Sequence, residues 1–344
     1  MKSTAKHILV IRLSAMGDVA MTVPVLRALL NQYPDVKVTV VTRSFFSPFF
    51  DDLERVSIFC PDLKGKHEGF WGLFRLHKEL LRLNIDYVAD LHNVLRSKAL
   101  IALFKIKGYK SYQIDKGRKE KKELTAPDQN KRRIPLKSTH ERYADVFRKL
   151  GYAIDLSYPY KVSKKNIPSS IKDLIKDQKS IGIAPFAAYE SKSLPETKLN
   201  ELIDDLSNLN NTNILLFGGG NEQKQLFESI ESKYDNVYSL VQKVSFKEEL
   251  DIIANLSVMI SMDSGNGHMA AMYDVPVITI WGVTHPYLGF TPFKQPIENQ
   301  ILPDLEKYPL IPTSVYGKDF PDGYLNCFDT INIDDIISQI KKYL

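Results

Sequence analysis

The chain has 344 residues, of which 44% are apolar, 10% aromatic and 25% charged. That composition excludes a disordered chain, and the length suits two domains better than one. The two cysteines, Cys60 and Cys327, have neither the number nor the spacing of a disulfide framework or a zinc site, which points to a reducing compartment without structural metal.

The N-terminus reads MKSTAKHILVIRLSAMGD, and its apolar run stops at Arg12. A signal peptide or a membrane span needs a longer run, so a cytoplasmic protein is expected. A β-branched strand over residues 7–12 is followed by a turn at 13–17. Val19, Val23, Leu26 and Leu30 then recur at helical spacing over 18–32, and a second strand covers 37–42. Strand, helix and strand at this spacing predict a βαβ unit in a parallel sheet. Residues 85–91 read as another buried strand, and 140–150 as a helix closed by Gly151. Between them, residues 115–137 carry nine Lys/Arg against four acids, which accounts for the whole net charge of +5.

The pattern restarts after residue 179. Strands are expected at 180–184, 213–217, 257–261 and 276–280, with helices at 196–209, 222–233 and 247–254. This is a second doubly wound α/β domain. Residues 162–179, polar and containing Pro168, suit a linker, and 332–344 an amphipathic helix capped by Asn332. The expected division is therefore 1–165, 166–330 and a C-terminal helix, 331–344, packed back on the first domain. The expected fold class is α/β, with two Rossmann-like domains facing across a cleft.

Ligands of open α/β sheets sit beyond the carboxyl ends of the strands, so the loops after strands are where chemistry is expected. The most informative stretch is SMDSGNGHMAAMYDVPVITIWG, residues 261–282. Small residues at a helix start let an anion approach free backbone N–H groups, a site for a phosphate or diphosphate, while Asp263 and His268 stay available for sugar hydroxyls. Alternatively, Asp263 and Ser264 cap the helix and His268 packs in the core. A second glycine loop, Gly218-Gly219-Gly220, precedes Glu222, which suits either a ribose contact or a favourable charge at a helix start. In the loop after 180–184, Lys192 is a candidate diphosphate cation or a solvated lysine. In the first domain Asp18 follows the first strand; an acid would repel a diphosphate there, so it suits a base facing an acceptor hydroxyl or a carboxylate favoured by the helix dipole.

Taken together, ILVIRLSAMGDVAMTVPVLRAL, ERYADVFRKLG, ESKSLPETKL, LLFGGGNE and the 261–282 motif resemble glycosyltransferase family 9, the ADP-heptose:lipopolysaccharide heptosyltransferase family, whose fold is GT-B. The resemblance runs from residue 8 to residue 282, and the Asp-Ser-Gly-x-x-His core is its most specific part. It implies an inverting transfer of a sugar, by family default heptose from ADP-heptose, onto a lipopolysaccharide core or related glycolipid. No metal and no cofactor beyond the nucleotide-sugar donor are implied. By motif, Asp18 matches the general base, Lys192 the diphosphate lysine, Glu222 a nucleotide contact, and Asp263, Ser264, Gly265 and His268 the donor loop. Ser264 stands where the family often has threonine, Asn266 replaces an often apolar residue, and 291–329 is longer than expected.

The basic segment is either a solvated loop or a clamp on an anionic acceptor, with Arg118, Lys121, Arg132 and Arg133 as its candidate contacts. Such an acceptor would bring the chain to the inner membrane surface. Nucleic acid is a poorer partner, because the segment lacks interleaved aromatics. Competing functions are another GT-B nucleotide-sugar enzyme such as an epimerase, and a non-catalytic nucleotide-sugar-binding protein. A nicotinamide dehydrogenase fits least, since RLSAMGD lacks the glycine fingerprint.

Overall fold

The computed structural model describes residues 6–128, 131, 133–159, 162, 165–169, 171–172 and 178–344. The chain divides into two compact units, Met1–Gly117 with Thr139–Lys161, and Arg118–Ser138 with Val162–Leu344.

The first unit contains β1 (Lys6–Ile11), α1 (Met16–Ala20), α2 (Thr22–Gln32), β2 (Val36–Val41), β3 (Val56–Phe59), α3 (Gly69–Leu81), β4 (Tyr87–Asp90), α4 (Leu95–Ile106) and β5 (Lys110–Gln113). α5 (Arg118–Leu124) belongs to the second unit, and α6 (Thr139–Leu150) returns to the first. The five strands are parallel in the order β3-β2-β1-β4-β5. Strands covered on both faces need continuous apolar runs, which is why β1 is buried from His7 onward. His7 is held inside that layer, its ring nitrogens 3.0 Å from Leu83 O and 2.8 Å from Thr39 Oγ1. The single helix expected over 18–32 is two, meeting at Met21, where Thr22 Oγ1 donates to Val19 O at 2.6 Å. Gly151 does close α6, at φ +112°, a backbone region open to glycine at little cost.

The second unit contains β6 (Lys179–Ala184), α7 (Glu196–Ser207), β7 (Thr212–Leu216), α8 (Asn221–Glu231), β8 (Val237–Ser239), α9 (Phe246–Ile253), β9 (Val258–Met262), α10 (Gly265–Ala271), β10 (Val277–Ile280), β11 (Gln300–Ile301) and α11 (Ile333–Ile340). Its parallel sheet runs β11-β10-β9-β6-β7-β8. In each unit the chain winds outward on one side and then crosses back, so the strand order reverses between β1 and β4 in one sheet and between β6 and β9 in the other. Ligand crevices of doubly wound sheets open at these two places.

Two expectations about boundaries need correction. The basic segment is not part of the first unit, because residues 118–138 cluster with the second. The C-terminal helix is capped by Asn332, whose Oδ1 accepts from Asp334 N at 2.9 Å. It does not spend its apolar face on the first domain: Ile333, Ile336, Ile337 and Ile340 are buried in the second unit's core beside α7. The expected linker at 162–179 lies in part outside the described residues.

Candidate active site

In the first unit the site residues gather where the strand order reverses. Arg12 directly follows β1, and its buried guanidinium pairs with Asp18 Oδ2 and donates to Leu91 O at 2.7 Å, just past β4. Asp18 Oδ2 also accepts from Ala15 N at 3.3 Å, and Tyr143 Oη donates to the Asp18 carbonyl at 3.2 Å. One carboxylate oxygen is thus used for positioning, while the Asp18 side chain keeps 32% of its exposure. A carboxylate aimed by a buried cation and open to solvent can accept a proton from a hydroxyl placed against it.

Beside it lies a cavity of about 830 Å³ lined by Arg43 after β2, Cys60 and Lys64 after β3, and His92 and Arg96 after β4. Burial, with Arg12 and Lys116 nearby, pushes His92 down to about 4, so its imidazole is neutral near pH 7. The cavity therefore presents two guanidiniums and an ammonium against one carboxylate, Asp62, whose Oδ2 accepts from Lys66 N at 2.9 Å. Apart from Cys60, noted only for lacking disulfide or zinc spacing, none of these residues was singled out in the sequence. Arg12 and His92 had a usable signal, since each follows a strand flanking the reversal; Arg43, Lys64 and Arg96 come together only through the sheet order.

In the second unit, Lys192 and Asp263 meet across the β6 and β9 ends. Lys192 Nζ donates to Asp263 O at 2.8 Å and Oδ2 at 3.1 Å, and Thr284 Oγ1 donates to the same Oδ2 at 2.9 Å. Both side chains of the pair are largely buried. The solvated-lysine alternative is therefore wrong. Of the other alternative the capping half fails, since Asp263 is spent on Lys192 and Thr284 and Ser264 makes no side-chain cap bond, while the half that packs His268 inside agrees with its burial. Ser264 Oγ is buried and has no partner among the described residues. Gly265 opens α10, and His268 on the same helix is buried. Gly267 has a packing role, because a Cβ there would meet Ser261 Oγ at 2.5 Å.

The glycine loop after β7 is shaped from within. Gly220 has φ +83°, and Gln223 Oε1 accepts from Gly219 N at 2.8 Å. Glu222 is exposed in the first turn of α8, where it complements the helix N-terminus. The stretch 291–329 supplies β11 and closes over the Lys192 loop: Gly317, at φ +80°, sits so close that a Cβ would meet Lys192 Cγ at 2.7 Å, and Ser191 Oγ donates to Gly317 O.

The basic segment is more engaged than a solvated loop would be. Lys121 Nζ lies 3.7 Å from the Phe290 ring centroid, a cation–π contact. Arg133 Nε donates to Ile311 O at 2.9 Å and its guanidinium also reaches Pro309 O, while Lys131 Nζ donates to Leu310 O at 2.7 Å and Pro312 O at 2.6 Å. Lys121 and Arg133 are thus committed within the second unit rather than extended toward an acceptor. Arg118 is exposed, and Arg132 lies outside the described residues.

These cations also act on His285, which burial, Arg133 and Lys131 push down to about 4. Its Nδ1 accepts from Tyr287 N at 3.1 Å, a bond available only to the neutral ring. With a folded value below the unfolded 6.5, its contribution is complete above pH 6.5 and is lost as pH falls toward 4, at most about 3 kcal/mol. The urea midpoint should fall over that window, and His285→Asn, which can still accept from Tyr287, should flatten part of the slope; an unchanged slope would remove His285 as a cause.

Among the described residues no group of three or more His, Cys, Asp or Glu is placed to hold a metal ion. Comparison with known proteins matches the chain over residues 73–310 to the model of glycosyltransferase family 9 (heptosyltransferase). Lipopolysaccharide heptosyltransferase 3 of Escherichia coli K12 is 25% identical over 95% of each chain. Lipooligosaccharide heptosyltransferase 2 of Campylobacter jejuni is 21% identical, over 96% of this chain and 95% of its own. Among solved structures, a family 9 glycosyltransferase from Veillonella parvula superposes with a TM-score of 0.73 at 17% identity, covering 100% of this chain and 98% of its own. E. coli heptosyltransferase WaaC with ADP-2-deoxy-2-fluoro heptose gives 0.65 at 18%, covering 98% and 100%. The two parallel sheets are those of the GT-B fold, and the chain belongs to glycosyltransferase family 9, the heptosyltransferase family, and is a glycosyltransferase.

Proposed function

We propose that the protein moves a heptosyl group from ADP-heptose onto a hydroxyl of an anionic lipopolysaccharide core or related glycolipid, with inversion and without a metal ion. The observation that carries this reading is the buried Lys192–Asp263 pair at the strand reversal of the second unit, beside the unpartnered Ser264 hydroxyl. In this reading Lys192, Ser264 and the Gly265 backbone hold the diphosphate, Asp263 and His268 face the sugar, and Glu222 lies toward the nucleoside. Asp18 takes the proton of the acceptor hydroxyl as its oxygen bonds to the anomeric carbon; the bond to the diphosphate breaks, and the departing ADP keeps the electron pair beside Lys192. A fixed ammonium in a largely buried site does the work that a metal would otherwise do. That the E. coli and C. jejuni relatives are lipopolysaccharide or lipooligosaccharide heptosyltransferases supports the heptosyl group and the acceptor class, and the complex of WaaC with ADP-2-deoxy-2-fluoro heptose supports an ADP-linked donor.

The acceptor anion is assigned to the cavity of Arg43, Lys64 and Arg96, with Arg118 as a further candidate. Replacing Arg43 and Arg96 with Ser should raise acceptor KM by about tenfold or more while donor affinity stays constant, since each charge-assisted bond is worth about 1.5–3 kcal/mol. Acceptor KM should also rise with ionic strength, because such attraction is screened within about 10 Å at 0.1 M salt. An unchanged KM would place the acceptor elsewhere. The donor is tested by melting the protein with a panel of nucleotide sugars: ADP-heptose should raise Tm most, by mass action on the folded state. A larger shift with a UDP- or GDP-sugar would overturn the donor assignment.

A further inference from the structure

The helices α3 and α4 lie side by side on one face of the first unit's sheet. Their inner faces are spent on the core, where Leu73, Leu76 and Leu80 of α3 meet Leu100, Ile101 and Phe104 of α4. Their outer faces carry apolar residues that this core does not use. Phe70 is 67% and Trp71 79% exposed at the start of α3, and Leu95 is 85% and Ile106 80% exposed at the two ends of α4. Phe70, Trp71 and Phe74 form one aromatic knob, with Phe70 meeting Trp71 and Phe74 edge to face at centroid distances of 5.6 Å and 4.9 Å. Leaving large aromatics in water forgoes about 25 cal/mol per Å² of burial, and clustering them adds to an exposed patch that calls for a partner.

The charge along α4 and its flanks, beside this knob's helix, is one-sided. From Leu91 to Ile114 the chain holds five cations, Arg96, Lys98, Lys105, Lys107 and Lys110, and no acid. Lys98 and Lys105 are exposed on α4, and Lys107 is exposed just past its end, next to Ile106. On α3, Arg75 and Lys78 are exposed too; Glu79 pairs with Lys66 at 2.6 Å, and Glu68 is the exposed acid at the helix start. Trp and Phe flanked by lysines suit the boundary between headgroups and acyl chains, where the ring body is apolar and the surrounding charge meets anionic lipid. No described helix is long and apolar enough to cross a membrane.

We propose that the outer face of α3 and α4 docks on an anionic lipid bilayer, with Phe70 and Trp71 entering the interface and Lys98, Lys105 and Lys107 meeting lipid phosphates. The surface alone carries this proposal, and its test needs no turnover, so it stands or falls apart from the transfer reading. Each lysine near an anionic surface contributes about fivefold in partitioning at low ionic strength.

Vesicles of phosphatidylglycerol and phosphatidylethanolamine test it, with phosphatidylcholine vesicles as the uncharged control. The full chain should sediment with the anionic vesicles and shift its Trp emission to the blue. Trp71 is the reporter, because the other tryptophan, Trp281, is already fully buried with Nε1 donating to Gln300 Oε1 at 3.0 Å. Phe70→Ser with Trp71→Ser should lower sedimentation tenfold or more at unchanged Tm. Lys98→Ser with Lys105→Ser and Lys107→Ser should lower it about a hundredfold at low salt. The absence of a blue shift with anionic vesicles would overturn the proposal, as would variants that sediment like the parent. So would a lipid-free dimer, seen by light scattering, that the aromatic replacements dissolve, since it would give the face to a second copy of the chain.

Discussion

Asp18→Asn should bind donor as the parent does and lose about 10²–10⁴-fold in transfer rate. The argument is geometric. Asn keeps an oxygen that can accept from Arg12 and Ala15 N, so the turn after β1 and the Tyr143 contact should survive. What disappears is the ability to take a proton from the acceptor hydroxyl. Donor affinity by calorimetry and initial rate under saturating donor separate the two effects. A parental rate in Asp18→Asn would reduce Asp18 to a carboxylate that stabilises the start of α1 and anchors Arg12.

Lys192→Ala should weaken the complex with ADP by roughly 10- to 150-fold, the equivalent of one lost charge-assisted bond of about 1.5–3 kcal/mol. It also leaves Asp263 buried with only Thr284 of the two side chains that donate to it. Asp263→Ala does the reverse, leaving a largely buried ammonium held by the Asp263 carbonyl alone. Each single change therefore carries the penalty of an abandoned partner as well as any ligand contact. The double replacement removes both charges together, so its loss of folding stability should be smaller than the sum of the singles by about 0.5–3 kcal/mol. Additive losses would mean that the pair is incidental, and unchanged ADP affinity in both singles would place the nucleotide elsewhere.

The sequence revealed its two windings through mostly buried strands: β1, β2, β6, β7, β9 and β10 are buried apart from single exposed lysines in β1, β2 and β6. β3, β5 and β8 were missed because they are short, at 4, 4 and 3 residues, and partly exposed, whereas the equally short β10 is buried throughout. The break at Met21 is invisible to spacing, since both halves of 18–32 present apolar residues to the same core. Asp18, Lys192 and Asp263 were legible because each follows a strand. That Lys192 and Asp263 form one unit was not, as 71 positions separate them and only the β6–β9 pairing brings them together. The charge count over 115–137 located an unusual segment but not its role. Whether a cation is solvated or tied down, as Lys131 and Arg133 are by carbonyls near Ile311, depends on a chain some 180 residues away.

The most direct test of the transfer reading is a single incubation of the purified protein with ADP-heptose and a heptose-deficient lipopolysaccharide core, in buffer containing a chelator, followed by mass spectrometry of the acceptor and quantitation of ADP. The account predicts one heptosyl group gained per ADP released, with an inverted anomeric configuration by NMR and no loss of rate from the chelator. Donor that is bound but never turned over, or converted to an epimer without change in the acceptor, would contradict it.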